Sequence, residues 1–268
     1  MNLARDHLAT SNLRPIARSR PAAPVERYAL GPLLGRGGMS KVYAAHDTVL
    51  DRDVALKIID RDLPTATARL IHEARAMAAI YSRHVVAIYD LATVGETTAL
   101  VMQRVRGATM REVVETAGPI ECARAVRLIL DVLAGVTALH AAGLLHRDIK
   151  SMNVMVDTSD RAVVLDLGIA RHRRAAPLTP IGMVVGSIPH MAPEHRRGLP
   201  DTRSDLFQIA LLFVYLVSGV ELDPTATHAE AALTRLMPAR LAAVAARGLA
   251  RVERRFASAA EMIAAFEA

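Results

Sequence analysis

The residues best equipped for chemistry lie in one short segment, His146-Arg147-Asp148-Ile149-Lys150-Ser151-Met152-Asn153. It carries an Asp, a Lys two positions on and an Asn five positions on. A carboxylate in such a loop can orient a hydroxyl and accept its proton. An ammonium beside it neutralises a migrating anionic group, and a side-chain amide carbonyl is a ligand for a hard cation. A solvated polar loop would contain the same residue types. That plainer reading does not explain the next element, Leu165-Asp166-Leu167-Gly168, where a carboxylate stands at a strand end and a glycine follows. Such a carboxylate suits a hard cation that also holds phosphate.

Two earlier segments carry related chemistry. The first is Leu34-Gly35-Arg36-Gly37-Gly38-Met39-Ser40-Lys41-Val42-Tyr43. Glycines let backbone N–H groups approach phosphate oxygens, although glycine-rich hairpin turns are common. This is not a dinucleotide fingerprint, because a strand follows where a helix would have to open. It is not a Walker A loop either, since Gly-Lys-Ser/Thr is absent. The second segment is Val54-Ala55-Leu56-Lys57. Its lysine reads either as the solvated tip of an edge strand or as a group that grips phosphate. Glu73, in the helical stretch that follows, is placed to pair with it, and a buried pair would fix the ammonium. Of the 33 basic residues only Lys41, Lys57 and Lys150 are lysines. Arg is a planar fork and Lys a compact point charge, so a chain this rich in Arg keeps Lys where Arg does not substitute.

These groups are far apart in the chain, so the fold must gather them. Residues 28–60 read as short strands around the glycine cluster, with a turn at Asp51-Arg52-Asp53. Helical spacing over 65–81 puts Leu70, Ala74, Met77 and Ile80 on one face. Strands are expected at 85–89 and 99–102. From 120 to 140, Val126, Ile129, Leu130, Leu133, Val136 and Leu139 form one apolar stripe. Strands at 154–156 and 162–165 follow, then a Pro- and Gly-rich loop over 171–193. Helices are expected near 203–219, within 226–250 and over 257–267. A strand-rich half before a helix-rich half indicates an α+β fold with two lobes.

Composition narrows the class. The chain has 268 residues, 52% hydrophobic and 22% charged, which is globular and not disordered. Aromatic residues make up 3%, with no Trp, so aliphatic and Met side chains must fill the core. The one cysteine, Cys122, permits no intramolecular disulfide, which fits a reducing cytoplasmic setting. Residues 1–24 carry several Arg and no apolar stretch of a signal peptide. The longest apolar run, 206–220, contains Gln208 and Ser218. It falls short of the ~20 residues that cross a membrane, so it reads as a buried core helix, with no membrane span. The net charge of +6 is spread over scattered arginines without interleaved aromatics, so nucleic acid is not the expected partner.

The ordered motifs resemble the eukaryotic-like serine/threonine protein kinases, particularly the bacterial group. They run from the glycine loop 35–42 through Val-Ala-Leu-Lys57, Glu73, His-Arg-Asp148 with Lys150 and Asn153, and Asp166-Leu-Gly, to Ala192-Pro193-Glu194. The resemblance covers about 28–268. It implies a bilobal protein-kinase-like fold, with a tail over 1–27, a strand-rich N-lobe over 28–102, and a hinge and helical C-lobe over 103–268. It implies ATP and Mg2+ or Mn2+ as cofactors and protein substrates phosphorylated on Ser or Thr. Gly35, Arg36, Gly37 and Gly38 would cover the phosphates. Lys57, held by Glu73, would grip them. Asp148 would be the base, Lys150 would contact the γ-phosphate, and Asn153 and Asp166 would bind metal. The adenine would lie among Val42, Ala55 and Met155, against Met102 and the hinge residues Gln103, Arg104 and Val105. Met77, Ile88, His146 and Leu167 would stack as a spine between the lobes.

Lys150, two residues after Asp148, matches the Ser/Thr pattern and not that of tyrosine kinases. Ser187 stands where that class usually has Thr. Thr179 is the candidate phosphosite, with Arg147 and Arg171 as partners for its charge. Glu194 is expected to pair with Arg255, with Arg254 adjacent. Departures include Ser40 for the third glycine, Leu167 within Asp-Leu-Gly, His190 for a Tyr, Ala210 for a Gly, and a short region after Gly219. The alternative is a pseudokinase scaffold that binds nucleotide or partners without turnover.

Overall fold

Strand β3 (Arg52–Ile59) is buried on both faces from Val54 to Lys57, which makes it the centre of the amino-terminal sheet. Around it lie β1 (Tyr28–Arg36), β2 (Ser40–Asp47), β4 (Ile88–Val94) and β5 (Thr97–Gln103), in the antiparallel order β1-β2-β3-β5-β4. The computed structural model describes residues 27–36, 40–59, 71, 74–94, 97–166, 190–223 and 233–268. One face of the sheet carries Tyr28, Ala45, Val54, Leu56 and Val101 as a small core of its own. Alternation sends Val42, Ala55, Lys57 and Met102 to the other face.

After β5 come β6 (Gly107–Thr109) and α1 (Met110–Ala117), which were not expected. Thr109 caps α1: its hydroxyl accepts from Glu112 N–H at 3.2 Å, and the Glu112 carboxylate accepts from Thr109 N–H at 2.7 Å. Next are α2 (Cys122–Ala141), β7 (Val154–Asp157) and β8 (Ala162–Val164), the last two forming a small sheet with β6 in the order β6-β7-β8. The chain closes with α3 (Pro193–Arg196), α4 (Thr202–Ser218), α5 (Ala239–Gly248) and α6 (Ala259–Glu267).

The expected apolar stripe of α2 is present, with Ile129, Leu133, Val136 and Leu139 at zero exposure; Leu128 and Val132 are buried as fully. The apolar run read as a core helix is α4, buried at every position from Ser204 to Leu216. Asp201 caps its start, and Gly219 ends it in the left-handed region at φ 71°. Among the described residues no helix is long and apolar enough to cross a membrane.

One expected strand is displaced. The sequence predicts a strand over 85–89, but β4 begins at Ile88. Val85 and Val86 do not join the amino-terminal sheet. They bridge to β8: Val86 N–H donates to Val164 C=O at 2.9 Å and Val164 N–H to His84 C=O at 2.8 Å. Both valines are buried, so their apolar character serves an anchor onto the helical part. Residues 74–78 are helical, as expected within 65–81. The tail before Arg27, Leu70, the loop over 171–189 and residues 226–232 lie outside the described residues.

Candidate active site

The loop that follows α2 cannot hold itself in place, and α4 holds it. Asp205, fully buried in the first turn of α4, accepts from the backbone N–H of His146 at 2.9 Å and of Arg147 at 2.8 Å. His140 Nε2, at the end of α2, donates to the same carboxylate at 2.8 Å. One turn later Gln208 accepts from Ile149 N–H at 3.0 Å and donates to Arg147 C=O at 3.2 Å. These bonds hold Arg147 at φ 67°, in the left-handed region that a bulky side chain rarely enters. Such strain persists where the surroundings over-determine it, and it concentrates at functional sites.

The strained residue precedes Asp148. Lys150 Nζ lies 3.2 and 3.1 Å from the two Asp148 carboxylate oxygens, and Asn153 Nδ2 donates to Asp148 Oδ2 at 2.9 Å. A second bond from Asn153 Nδ2, to Asp148 C=O at 2.7 Å, fixes the amide across the loop. Asp148 and Lys150 are each 7% exposed. His146 accepts from Asp148 N–H at Nδ1, 3.3 Å, so its proton resides on Nε2, which donates to Leu165 C=O at 2.9 Å. Leu165 N–H in turn donates to Asn153 C=O at 2.8 Å. The loop is thereby stitched to the strand end that carries Asp166.

The amino-terminal sheet supplies the facing side. Its registers put Gly35 opposite Val42 and Val42 opposite Lys57, with Ala55 opposite Met102 one step away. Lys57 Nζ reaches Asp166 Oδ1 at 3.0 Å, an ion pair between the two halves of the molecule. Ala55 and Met102 are buried in one apolar cluster with Met77, Leu139 and Val163, and Val42, Ile88 and Val105 pack against it. Met155 faces the same way as Val163, its ladder partner. Gln103 is pinned at both ends: its N–H donates to Ala87 C=O at 2.8 Å, and its side chain accepts from Ala87 N–H at 3.3 Å.

Lys57, Asp148, Lys150, Asn153 and Asp166 are thus linked in one chain of contacts: Lys57 to Asp166, Leu165 beside it to Asn153, and Asn153 and Lys150 to Asp148. Arg36 sits at the end of β1, opposite Lys41. Glu73, Gly37, Gly38, Leu167, Thr179 and Ser187 lie outside the described residues. The Asn153 amide N–H2 is taken up by Asp148, which turns its carbonyl oxygen to other ligands. Asn153 and Asp166 therefore offer a hard divalent cation two oxygens, and phosphates and water complete such a shell. The donor set fits. Among the described residues no group of three or more His, Cys, Asp or Glu is arranged for a metal.

Glu194 meets Arg255, as expected: Arg255 Nη1 lies 2.7 Å from Glu194 Oε1, and Ser204 donates to the same oxygen at 2.8 Å. Burial pushes this carboxyl up, but hydrogen bonds from Arg255, backbone and Ser204 outweigh it and hold it below the usual carboxylate range. Burial pushes the His190 imidazole below its ordinary value, against the pull of Glu221 at 3.7 Å. The supporting roles of Asp205 and Gln208 were not read from sequence. Only Gln208 carries a signal in the sequence, as a polar exception within the apolar run 206–220.

The chain matches the protein kinase domain family over residues 28–259. It is 36% identical over 204 residues to the serine/threonine-protein kinase PknB of Mycobacterium leprae, covering 72% of this chain and 33% of that protein. It is also 36% identical over 197 residues to the serine/threonine-protein kinase PknL of Mycobacterium tuberculosis, covering 72% of this chain and 49% of that one. The chain spans from a third to about half the length of these curated relatives. With a mixed α+β fold and a family match over residues 28–259, the chain belongs to the protein kinase domain family.

Proposed function

We propose that the chain is a serine/threonine protein kinase that transfers the γ-phosphate of ATP to protein hydroxyls, its own included. The observation that carries this reading is the Asp148 carboxylate, buried and held jointly by Lys150 and Asn153. Its orientation suits it to take the proton of an incoming Ser or Thr hydroxyl. The hydroxyl oxygen bonds to the γ-phosphorus, the bond from that phosphorus to the β-phosphate oxygen breaks, and ADP leaves with the electron pair. Lys150 neutralises the phosphoryl group in transit, and Lys57 grips the phosphates that remain, assisted by Glu73. Asn153 and Asp166 would hold Mg2+ or Mn2+, which when bound would supply positive charge to the phosphate oxygens. Gly35, Arg36, Gly37 and Gly38 cover the phosphates. Val42, Ala55, Met102 and Met155 enclose the adenine, with Gln103 and Val105 at its edge. Residues 28–102 form the N-lobe in this reading, and 103–268 the hinge and C-lobe. A cytoplasmic site of action belongs to the same proposal, since the reaction draws on ATP.

The test is transfer of labelled γ-phosphate to the chain itself and to a generic basic protein, followed by phosphosite mapping. Asp148→Asn is expected to lower kcat by about 10²- to 10⁴-fold. Activity equal to wild type would leave a nucleotide-binding scaffold as the better reading. Thr179 is the proposed regulatory phosphosite. The Arg147 Nε is buried and without a hydrogen-bond partner among the described residues, and an added phosphate is a natural partner. Thr179→Ala is expected to lower activity and remove one mapped site; full activity would exclude that role.

A further inference from the structure

The last rung of the β3–β5 ladder pairs Val54 with Gln103. Beyond that rung side chains take over. Asp53, one residue before Val54, receives Arg104 Nη1 at 3.1 Å and Arg106 Nη2 at 2.7 Å on a single oxygen, Oδ2. Its other oxygen faces His46 Nδ1 at 3.4 Å, and His46 Nε2 faces Asp51 at 3.1 Å. Between the two arginines, Val105 turns the opposite way and packs against the apolar cluster of Ala55, Met102 and Val163. The Arg106 carbonyl meanwhile accepts from Thr158 N–H at 3.1 Å, in the turn between β7 and β8. One carboxylate on the sheet therefore grips both flanks of the segment that joins the two halves, and that segment is also tied to the helical part.

An isolated exposed ion pair contributes little. This arrangement differs in what it constrains. Two guanidinium groups converge on one carboxylate, so the peptide between them loses its freedom to rotate. A base that docks on an already ordered segment avoids the cost of ordering it. We propose that Asp53 is a positioning residue for nucleotide binding, which by clamping Arg104 and Arg106 presents Val105 and the adjoining backbone to the adenine ring. This rests on the reading of 102–105 as the segment that receives the base. The clamp acts on the base and not on the phosphates, and the two can be probed separately.

The experiment measures binding of adenosine and of tripolyphosphate to the full chain, as wild type, Asp53→Asn and Arg106→Gln. In both variants adenosine is expected to bind about fivefold more weakly or worse, the size of a local ordering cost, with tripolyphosphate within about twofold of wild type. Adenosine is uncharged, so salt acts on it only through the protein. About 0.5 M salt should weaken it for wild type and leave the variants unmoved. Arg106 is 72% exposed, so its substitution tests the clamp even where Asp53→Asn folds poorly. Adenosine affinity unchanged in Arg106→Gln would overturn the proposal, as would equal loss of both ligands. A wild-type chain that binds tripolyphosphate but not adenosine removes the base-receiving assignment. One that binds neither removes the kinase reading itself.

Discussion

Glu194 and Arg255 join residues far apart in the chain through a nearly dry contact, with Arg255 at zero side-chain exposure and Glu194 at 14%. Removing one member leaves the other buried and uncompensated, so Arg255→Met is expected to cost about 3–5 kcal/mol in denaturant unfolding. The pH dependence follows from the lowered Glu194 carboxyl. Its contribution is complete above the ordinary Glu range, near about 4.3, and is lost as pH falls through the lower folded value. The gap between wild type and Arg255→Met should therefore be widest near neutrality and narrow in acid. A constant gap from pH 7 to about 3 would refute this account. Asp148, Lys150, Asn153 and Asp166 could be singled out in the sequence as candidates because the proposed chemistry needs particular residue types. Asp205 was not legible as a support, since its task depends on which backbone N–H groups come to it, and spacing alone does not carry that.

Helix α2 and the 82–87 segment approach more closely than a side chain allows. A Cβ built on Gly135 would lie 2.7 Å from the His84 carbonyl oxygen and 3.3 Å from its Cβ. Within a helix Gly→Ala ordinarily stabilises by about 1 kcal/mol. Here a rigid backbone oxygen stands in the way, and overpacking of that kind costs about 1–3 kcal/mol. Gly135→Ala should therefore lower stability and loosen the Val86–Val164 and Val164–His84 bonds, read as faster amide exchange at both residues. Raised stability with unchanged exchange would show that the segment yields easily. The same contact explains the misplaced strand. Val85-Val86 has the apolar, β-branched character of a strand, but its partner is β8, and no local pattern names a partner as far along the chain as Val164 is from Val85. Helix α1 was missed for a different reason. It spans only eight residues, too short for periodicity to show, although Thr109-Met110-Arg111-Glu112 has the spacing of a capping box.

Across the whole molecule the apolar groups are unevenly shared. The helical part holds a large continuous core in which Phe213 of α4 meets Phe266 of α6 edge-on, with ring centres 5.0 Å apart. Phe266 is 1% exposed two residues from the end of the sequence, so Phe266→Ala should cost about 3–5 kcal/mol, measured by thermal or denaturant unfolding. A loss below about 1 kcal/mol would mean that the last helix packs independently of the rest. The sheet has a much smaller core, and its connection between the helical residues 74–78 and β4 is fastened by Val85 and Val86 to β8. The waist of the molecule is therefore no place to cut it. A fragment ending at Gln103 would take Val85, Val86 and His84 away from the strand that covers them, and would present that bare surface to other chains. Supplied as two separate polypeptides, the halves should stay in solution only when produced together, each shielding the exposed seam of the other.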